Sequence, residues 1–243
     1  MENFNFGWAS SGLTIIMNLL PIFSFINFYS NKSNFDNIPA SKIFTNYANC
    51  LVWYFYGKII FNTSIKIANL IGAIISLILI IIYLIFEAMR KYFLDFILNI
   101  TIIIIGTLSS FEWFCNIIFE NDIAGQICLI ISFICILTQI PDIYNGIKEK
   151  NHLLIRINYS IIGFPTHFCW IIFGFIIGDF YVLIANLFGI ISSIFQIMIY
   201  TYFKKESSII NGENIASTIG IDEETRKETN ISKAKPVEIV NLE

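Results

Sequence analysis

Seven apolar stretches, each about the length of a bilayer crossing, follow one another through residues 1–203 of this 243-residue chain. They cover 7–29, 41–60, 67–88, 93–118, 123–145, 157–176 and 180–203. A helix needs about 20 mostly apolar residues to cross the hydrocarbon core. Within lipid only helices and closed barrels satisfy their own backbone, and runs this long select helices. The expectation is an all-α integral membrane protein of seven transmembrane helices. The second segment is the weakest, because Lys42 and several polar residues dilute it. Charge is scarce, at 14% of residues against about 25% in a soluble domain. It is also uneven: residues 204–243 hold 14 of the 33 charged side chains and read as a disordered cytosolic tail.

The gaps between segments are short, so neighbouring helices run antiparallel. Counting basic residues then orients the chain. One set of loops holds Lys32, Lys42, Arg90, Lys91, Lys148, Lys150 and Arg156; the other holds Lys58 and Lys66. The richer side belongs in the cytosol, which puts the N-terminus outside or in a lumen and the C-terminus in the cytosol. The first apolar run lacks a basic flank ahead of it and is expected to stay in the mature protein.

One block recurs at a constant interval. Ile67-Ala68-Asn69-Leu70 followed by Gly72, Ile74 and Ser76 returns as Ile184-Ala185-Asn186-Leu187 followed by Gly189, Ile191 and Ser193, an offset of 117. The same offset sends Trp53 to Trp170 and Gly57 to Gly174. Tryptophan occurs four times in the chain, so an in-register pair is not an accident of composition. Pro21 and Pro141 correspond at an offset of 120, which places a three-residue length difference between the first two helices of each unit. Residues 7–88 and 123–203 are therefore two copies of one three-helix unit, and 93–118 is an unpaired linker helix. An odd linker gives both copies the same orientation, a parallel repeat, and such repeats hold substrate at their interface near the bilayer midplane.

The repeat singles out Trp53, Asn69, Trp170 and Asn186. An indole face packs on the C–H face of a pyranose, and a carboxamide offers donors and an acceptor to hydroxyls. The set carries no charge, which suits a neutral polyol. Interfacial anchoring and helix-to-helix hydrogen bonding are the bland alternatives for Trp and Asn. Pro21, Pro39, Pro141 and Pro165 interrupt apolar segments, and a proline kink is a candidate hinge. Gly57, Gly72, Gly174 and Gly189 allow close helix approach. Ionisable groups inside a membrane are functional candidates. Glu112 is read as snorkelling to the outer face. Asp142 either pairs with Lys148 or Arg156 or takes a proton, and His167 either packs as a neutral ring or contacts ligand or proton. Tyr56, Asp142, Arg156 and His167 are the candidates for a gate or proton site. The sequon Asn62-Thr63-Ser64 lies too close to the membrane for glycosylation.

No phosphate loop, zinc motif or nucleophile elbow is present, so no catalytic residue, metal or cofactor is assigned and the chain does not read as an enzyme. No basic cluster suggests nucleic acid. Cys50, Cys115, Cys128, Cys135 and Cys169 fall in apolar runs without a CxxC pair and read as small buried hydrophobes.

The stretch Asn49-Cys50-Leu51-Val52-Trp53-Tyr54-Phe55-Tyr56-Gly57 resembles the second-helix signature of the SWEET sugar transporters, within the PQ-loop superfamily. Trp170 to Gly174, then Asn186, Gly189 and Tyr200, resembles the matching part of that family's second repeat. The resemblance covers residues 7–203, and the family's 3+1+3 arrangement of parallel repeats coincides with the repeat found above. It implies a facilitative, bidirectional uniporter for mono- or disaccharides that works by alternating access and forms homo-oligomers, with the plasma membrane as its home and an endomembrane as the alternative. By position it implies a sugar pocket of Trp53, Asn69, Trp170 and Asn186, with Pro21, Pro39 and Pro141 as hinge prolines. The fourth hinge position, at offset 117 from Pro39, is Arg156, and the usual Pro-Asn of the last helix is Ala185-Asn186. Two other readings stay open: a proton-coupled PQ-loop carrier of amino acids or another small solute, and a membrane receptor or adaptor that transports nothing.

Overall fold

A computed structural model describes residues 2–31, 38, 40–89 and 121–218. The segment 93–118, with Glu112 and Cys115, lies outside the described residues, as do Pro39 and residues 219–243. The described residues are helical, with no strand. They form α1 (Glu2–Asn31), α2 (Ala40–Ile59), α3 (Thr63–Met89), α4 (Asn121–Leu137), α5 (Ile140–Lys148), α6 (Ile157–Ile177) and α7 (Phe180–Thr218), with a 3-10 turn at His152–Leu154 between α5 and α6. Five spans among the described residues are long and apolar enough to cross a membrane: α1, α3, α4 with α5, α6 and α7. The helix α2 is not among them, in keeping with its polar dilution.

Two boundaries differ from the hydropathy reading. The fifth segment, expected as one helix over 123–145, is broken into α4 and α5 at Thr138-Gln139. Pro141 is the cause. It stands at the first turn of α5, where its missing N–H costs nothing, but a helix running straight through it would lose a backbone bond and clash with the preceding turn. Pro21 and Pro165, by contrast, lie inside the uninterrupted helices α1 and α6. The second difference is at the tail, expected to be disordered from residue 204. The helix α7 instead continues to Thr218. Lys204, Lys205 and Glu206 are good helix formers, and Glu206 meets Lys150 at 3.2 Å.

Helices α1–α3 and α4–α7 form two bundles of the same plan. In the first, α3 packs against both α1 and α2; in the second, α7 packs against α4, α5 and α6. The bundles join crosswise, with α1 against α6 and α2 against α4. The turns that close α2 and α6 are copies. Gly178 is left-handed at φ 70°, and its repeat equivalent Phe61 is left-handed at φ 54°. Asn62 N–H donates to Gly57 O at 2.9 Å, and Asp179 N–H to Gly174 O at 2.9 Å, the wrap-around bond of a Schellman ending. The next helix is then capped in the same way. Asn62 Oδ1 accepts from Ile65 N–H at 3.1 Å and Asp179 Oδ1 from Val182 N–H at 3.0 Å. Asn62 is thus occupied as a helix cap.

Candidate functional site

The copied turns set the height of the side chains that follow them. Asn69 and Asn186 fall in the second turn of α3 and α7, opposite Trp53 on α2 and Trp170 on α6. All four line one cavity of about 80 Å³, completed by Thr14, Met17, Ile65, Thr166, His167 and Val182. The carboxamides are held alike. Asn69 Nδ2 donates to Ile65 O at 2.8 Å and Asn186 Nδ2 to Val182 O at 2.7 Å. With the amino group tied to the backbone, each carbonyl oxygen is turned away from its own helix. That of Asn186 lies 2.9 Å from His167 Nδ1, so the imidazole donates from Nδ1 and keeps Nε2 as an acceptor.

The two indoles are anchored reciprocally. Trp53 Nε1–H donates to Ser132 Oγ on α4 at 2.9 Å, and Trp170 Nε1–H donates to Thr14 Oγ1 on α1 at 2.7 Å. Each tryptophan is therefore fixed by the first helix of the other repeat. Ser132 Oγ donates on to Asn49 Oδ1 at 2.9 Å. With the polar edges engaged, what the indoles offer a ligand is their faces.

A second cavity, of about 120 Å³, shares Met17, Trp53, His167 and Asn186 with the first and runs away from it to Lys42, Gln139 and Tyr159. His167 stands at the neck between the two. Its ring fits only because residue 189 is glycine: a Cβ there would lie 2.5 Å from the imidazole. In the other direction the two repeats are tied to each other. Tyr56 Oη donates to Asp179 Oδ2 at 2.7 Å, joining α2 to the turn before α7. The Tyr56 ring also meets Trp53 edge-on at 5.5 Å and Tyr181 at 6.2 Å. Behind this latch lies an apolar cluster from both repeats that includes Val52, Ile65, Cys128, Phe173 and Val182.

A family model described as "Sugar efflux transporter for intercellular exchange" matches this chain twice, over residues 4–91 and 122–208, once per repeat. The chain belongs to the SWEET family of sugar transporters. It is 22% identical over 201 residues to the sugar transporter SWEET1 of Xenopus tropicalis, covering 82% of this chain and 89% of that one. It is also 22% identical over 209 residues to the bidirectional sugar transporter SWEET4 of Arabidopsis thaliana, covering 82% and 81%. A solved eukaryotic SWEET transporter shares its fold, with a TM-score of 0.67 at 18% identity over 84% of this chain and 97% of that one.

In this SWEET chain, Asp142 meets Arg156 at 3.4 Å, which decides between the two basic partners considered from sequence. Arg156 is the residue preceding α6, in the N-cap position. Thr14, Asn49, Ser132, Thr166 and Asp179 belong to the site or its latch and were not singled out from sequence. The 117 offset carried a signal for three of them, since it relates Asn49 to Thr166 and Asn62 to Asp179. Thr14 and Ser132 had none, because small hydroxyl residues on apolar helices are common.

Proposed function

We propose that this SWEET chain is a facilitative, bidirectional transporter of a neutral mono- or disaccharide and is not an enzyme. The observation that carries this reading is the cavity shared by Trp53, Trp170, Asn69 and Asn186, latched at one end and continuous with a polar cavity at the other. A pyranose lies between the indole faces and exchanges hydrogen bonds with the two carboxamides, with Thr14, Thr166 and His167 Nε2 as further partners. No charged group lies among these residues, as a neutral substrate requires, since a buried charge without a partner is costly.

Alternating access follows from where the repeats are tied. The indole bonds to Ser132 and Thr14 join the repeats at the depth of the substrate, so that level is the pivot. Rocking one bundle on the other about it opens one mouth as the other closes. The described conformation has the Asp179 mouth closed. We assign that mouth to the outside or lumen and the Lys42 end to the cytosol, on the count of basic residues. The break before Pro141 serves as the hinge of the second repeat, and Pro21 and Pro39 serve the first. The protein works as a homo-oligomer in the plasma membrane.

The test is counterflow in proteoliposomes with a panel of labelled mono- and disaccharides. Exchange of at least one sugar, without a proton gradient, is the expected result. Absence of exchange over the whole panel, or flux that collapses when the proton gradient is removed, overturns the reading.

A further inference from the structure

The cavity on the Lys42 side holds more charge than a neutral sugar needs. Lys42 lines it, together with Thr45, Asn46, Gln139, Tyr159 and Ser192. Lys42 is the one charged residue that lines it, and Asp142 and Arg156 stand near enough to Lys42 to act on its charge. Asp142 is paired with Arg156, and among the described residues no carboxylate lies within ion-pair distance of Lys42. Its ammonium instead sits 3.3 Å from the centroid of the Tyr159 ring. A ring face is a weaker partner than a carboxylate, and it leaves ammonium N–H donors free to turn toward the cavity.

The backbone adds to the imbalance. Lys42 lies in the first turn of α2 and Arg156 directly precedes α6, so both cations stand at the positive ends of helices, where a cation is disfavoured. Lys42 and Tyr159 are equivalent positions of the two repeats at offset 117, so these two helix ends face each other across the repeat axis. A second, independent observation points the same way. Tyr159 is nine-tenths buried, lines the same cavity, and its hydroxyl has no hydrogen-bond partner among the described residues. A buried donor left without a partner is a cost that a ligand oxygen would remove.

We propose that this cavity is an anion subsite continuous with the sugar site, and that it binds a carboxylate or phosphate oxygen carried by a sugar derivative. The proposal rests on the sugar-site reading above. The ring of such a ligand occupies the tryptophan cavity, and its anionic arm passes His167 to reach the Lys42 ammonium and the Tyr159 hydroxyl.

The test compares ligands of one shape and different charge on the purified full-length protein, by calorimetry. Glucuronate is set against its neutral amide, glucuronamide, with glucose 6-phosphate against glucose as a second pair. For at least one pair the anion binds about tenfold more tightly than its neutral partner at low salt. Preference for glucuronate identifies a sugar acid, and preference for glucose 6-phosphate identifies a sugar phosphate. In Lys42→Gln the ratio falls to about one, and in Lys42→Arg most of it is kept. If Lys42→Gln does not fold, salt is the second lever: the wild-type preference shrinks as screening shortens from about 30 Å at 0.01 M salt to about 3 Å at 1 M. Equal affinity within both pairs, or a preference that survives Lys42→Gln or high salt, overturns the proposal. Failure of the sugar-site reading appears separately, as absent counterflow of neutral sugars with the anion preference intact.

Discussion

Replacing Tyr56 by Phe removes one oxygen and nothing else from the closed mouth. The ring keeps its edge contacts with Trp53 and Tyr181, and Asp179 keeps its cap on Val182 N–H. What goes is the 2.7 Å bond from the Tyr56 hydroxyl to Asp179 Oδ2. Hydrogen bonds to charged groups contribute about 1.5–3 kcal/mol. Asp179 is partly exposed at the rim, so water recovers some of that when the bond is lost, and the low end applies. At about 1.4 kcal/mol per factor of ten, the open fraction of this mouth rises about tenfold. Cys128 supplies the readout, because it is fully buried in the cluster behind the latch. With Cys50, Cys115, Cys135 and Cys169 replaced, a membrane-impermeant thiol reagent added from the Asp179 side reaches Cys128 only through open states. If opening is fast relative to alkylation, the labelling rate follows the open fraction and increases about tenfold in Tyr56→Phe. Asp179→Asn keeps one oxygen for the cap on Val182 N–H and offers Tyr56 only an amide N–H, from which the phenol oxygen can accept; this neutral bond replaces a charged one, and the increase is smaller. An unchanged labelling rate in Tyr56→Phe refutes the latch.

Asn186→Ala removes the acceptor of His167 and one of the two carboxamides. Sugar counterflow is abolished while surface biotinylation still finds the protein in the membrane, and normal flux would remove Asn186 from the site. Gly189→Ala drives a methyl group into the imidazole of His167, an overpacking worth about 1–3 kcal/mol. Flux falls in the single variant and recovers only in part in Gly189→Ala with His167→Ala, which relieves the clash but also removes a hydrogen-bond partner of the sugar; equal flux in wild type and the single variant would mean that His167 does not hold the neck. Phe61 is exposed and left-handed at φ 54°, a backbone state that costs a non-glycine residue about 1–2 kcal/mol. Phe61→Gly, which copies Gly178, raises the melting temperature of the detergent-solubilised protein, and a lower one would show that the aromatic contributes more than the strain costs.

The fold was legible in the sequence because lipid leaves few choices. Long apolar runs must be helical, and the 117-residue offset relates one set of helices to the other without any knowledge of contacts. The four pocket residues were legible for the same reason. Trp and Asn recurring in register on apolar helices have to be placed by symmetry, and symmetry puts them around the axis. The break between α4 and α5 was not legible, since Pro21 and Pro165 sit in similar apolar surroundings without interrupting their helices. Whether a proline breaks or only bends a helix depends on what the neighbouring helices offer the freed backbone. The crosswise tryptophan bonds were equally hidden. Thr14 and Ser132 gain their meaning from facing the other repeat, and a relation between two bundles has no local trace in either.

The two ends of the molecule use the repeat differently. At the Asp179 end the copies agree in detail: Phe61 with Gly178 in backbone conformation, Asn62 with Asp179 in capping, and Asn69 with Asn186 in amide bonding. The latch there rests on two departures from symmetry: Tyr56 carries a hydroxyl where the second repeat has Phe173, and the acceptor differs as well. Asp179 carries a carboxylate where Asn62 carries an amide, and its second oxygen is free to accept from Tyr56. At the Lys42 end the copies part. Lys42 is matched by Tyr159, Pro39 by Arg156 and Asn46 by Gly163, and the buried polar contacts differ accordingly. Asn46 bonds Asn18 and Ser76 in one repeat, whereas Gln196 bonds Ser160 and Gln139 in the other. A gate that only had to open and close would be served by the same agreement at both ends. Of the residues that differ, Lys42, Asn46, Gln139 and Tyr159 line the second cavity, so the divergence bears on what that cavity can hold. That is why the charge of the ligand, rather than the speed of gating, is the property in which Lys42 variants should differ most from the wild type.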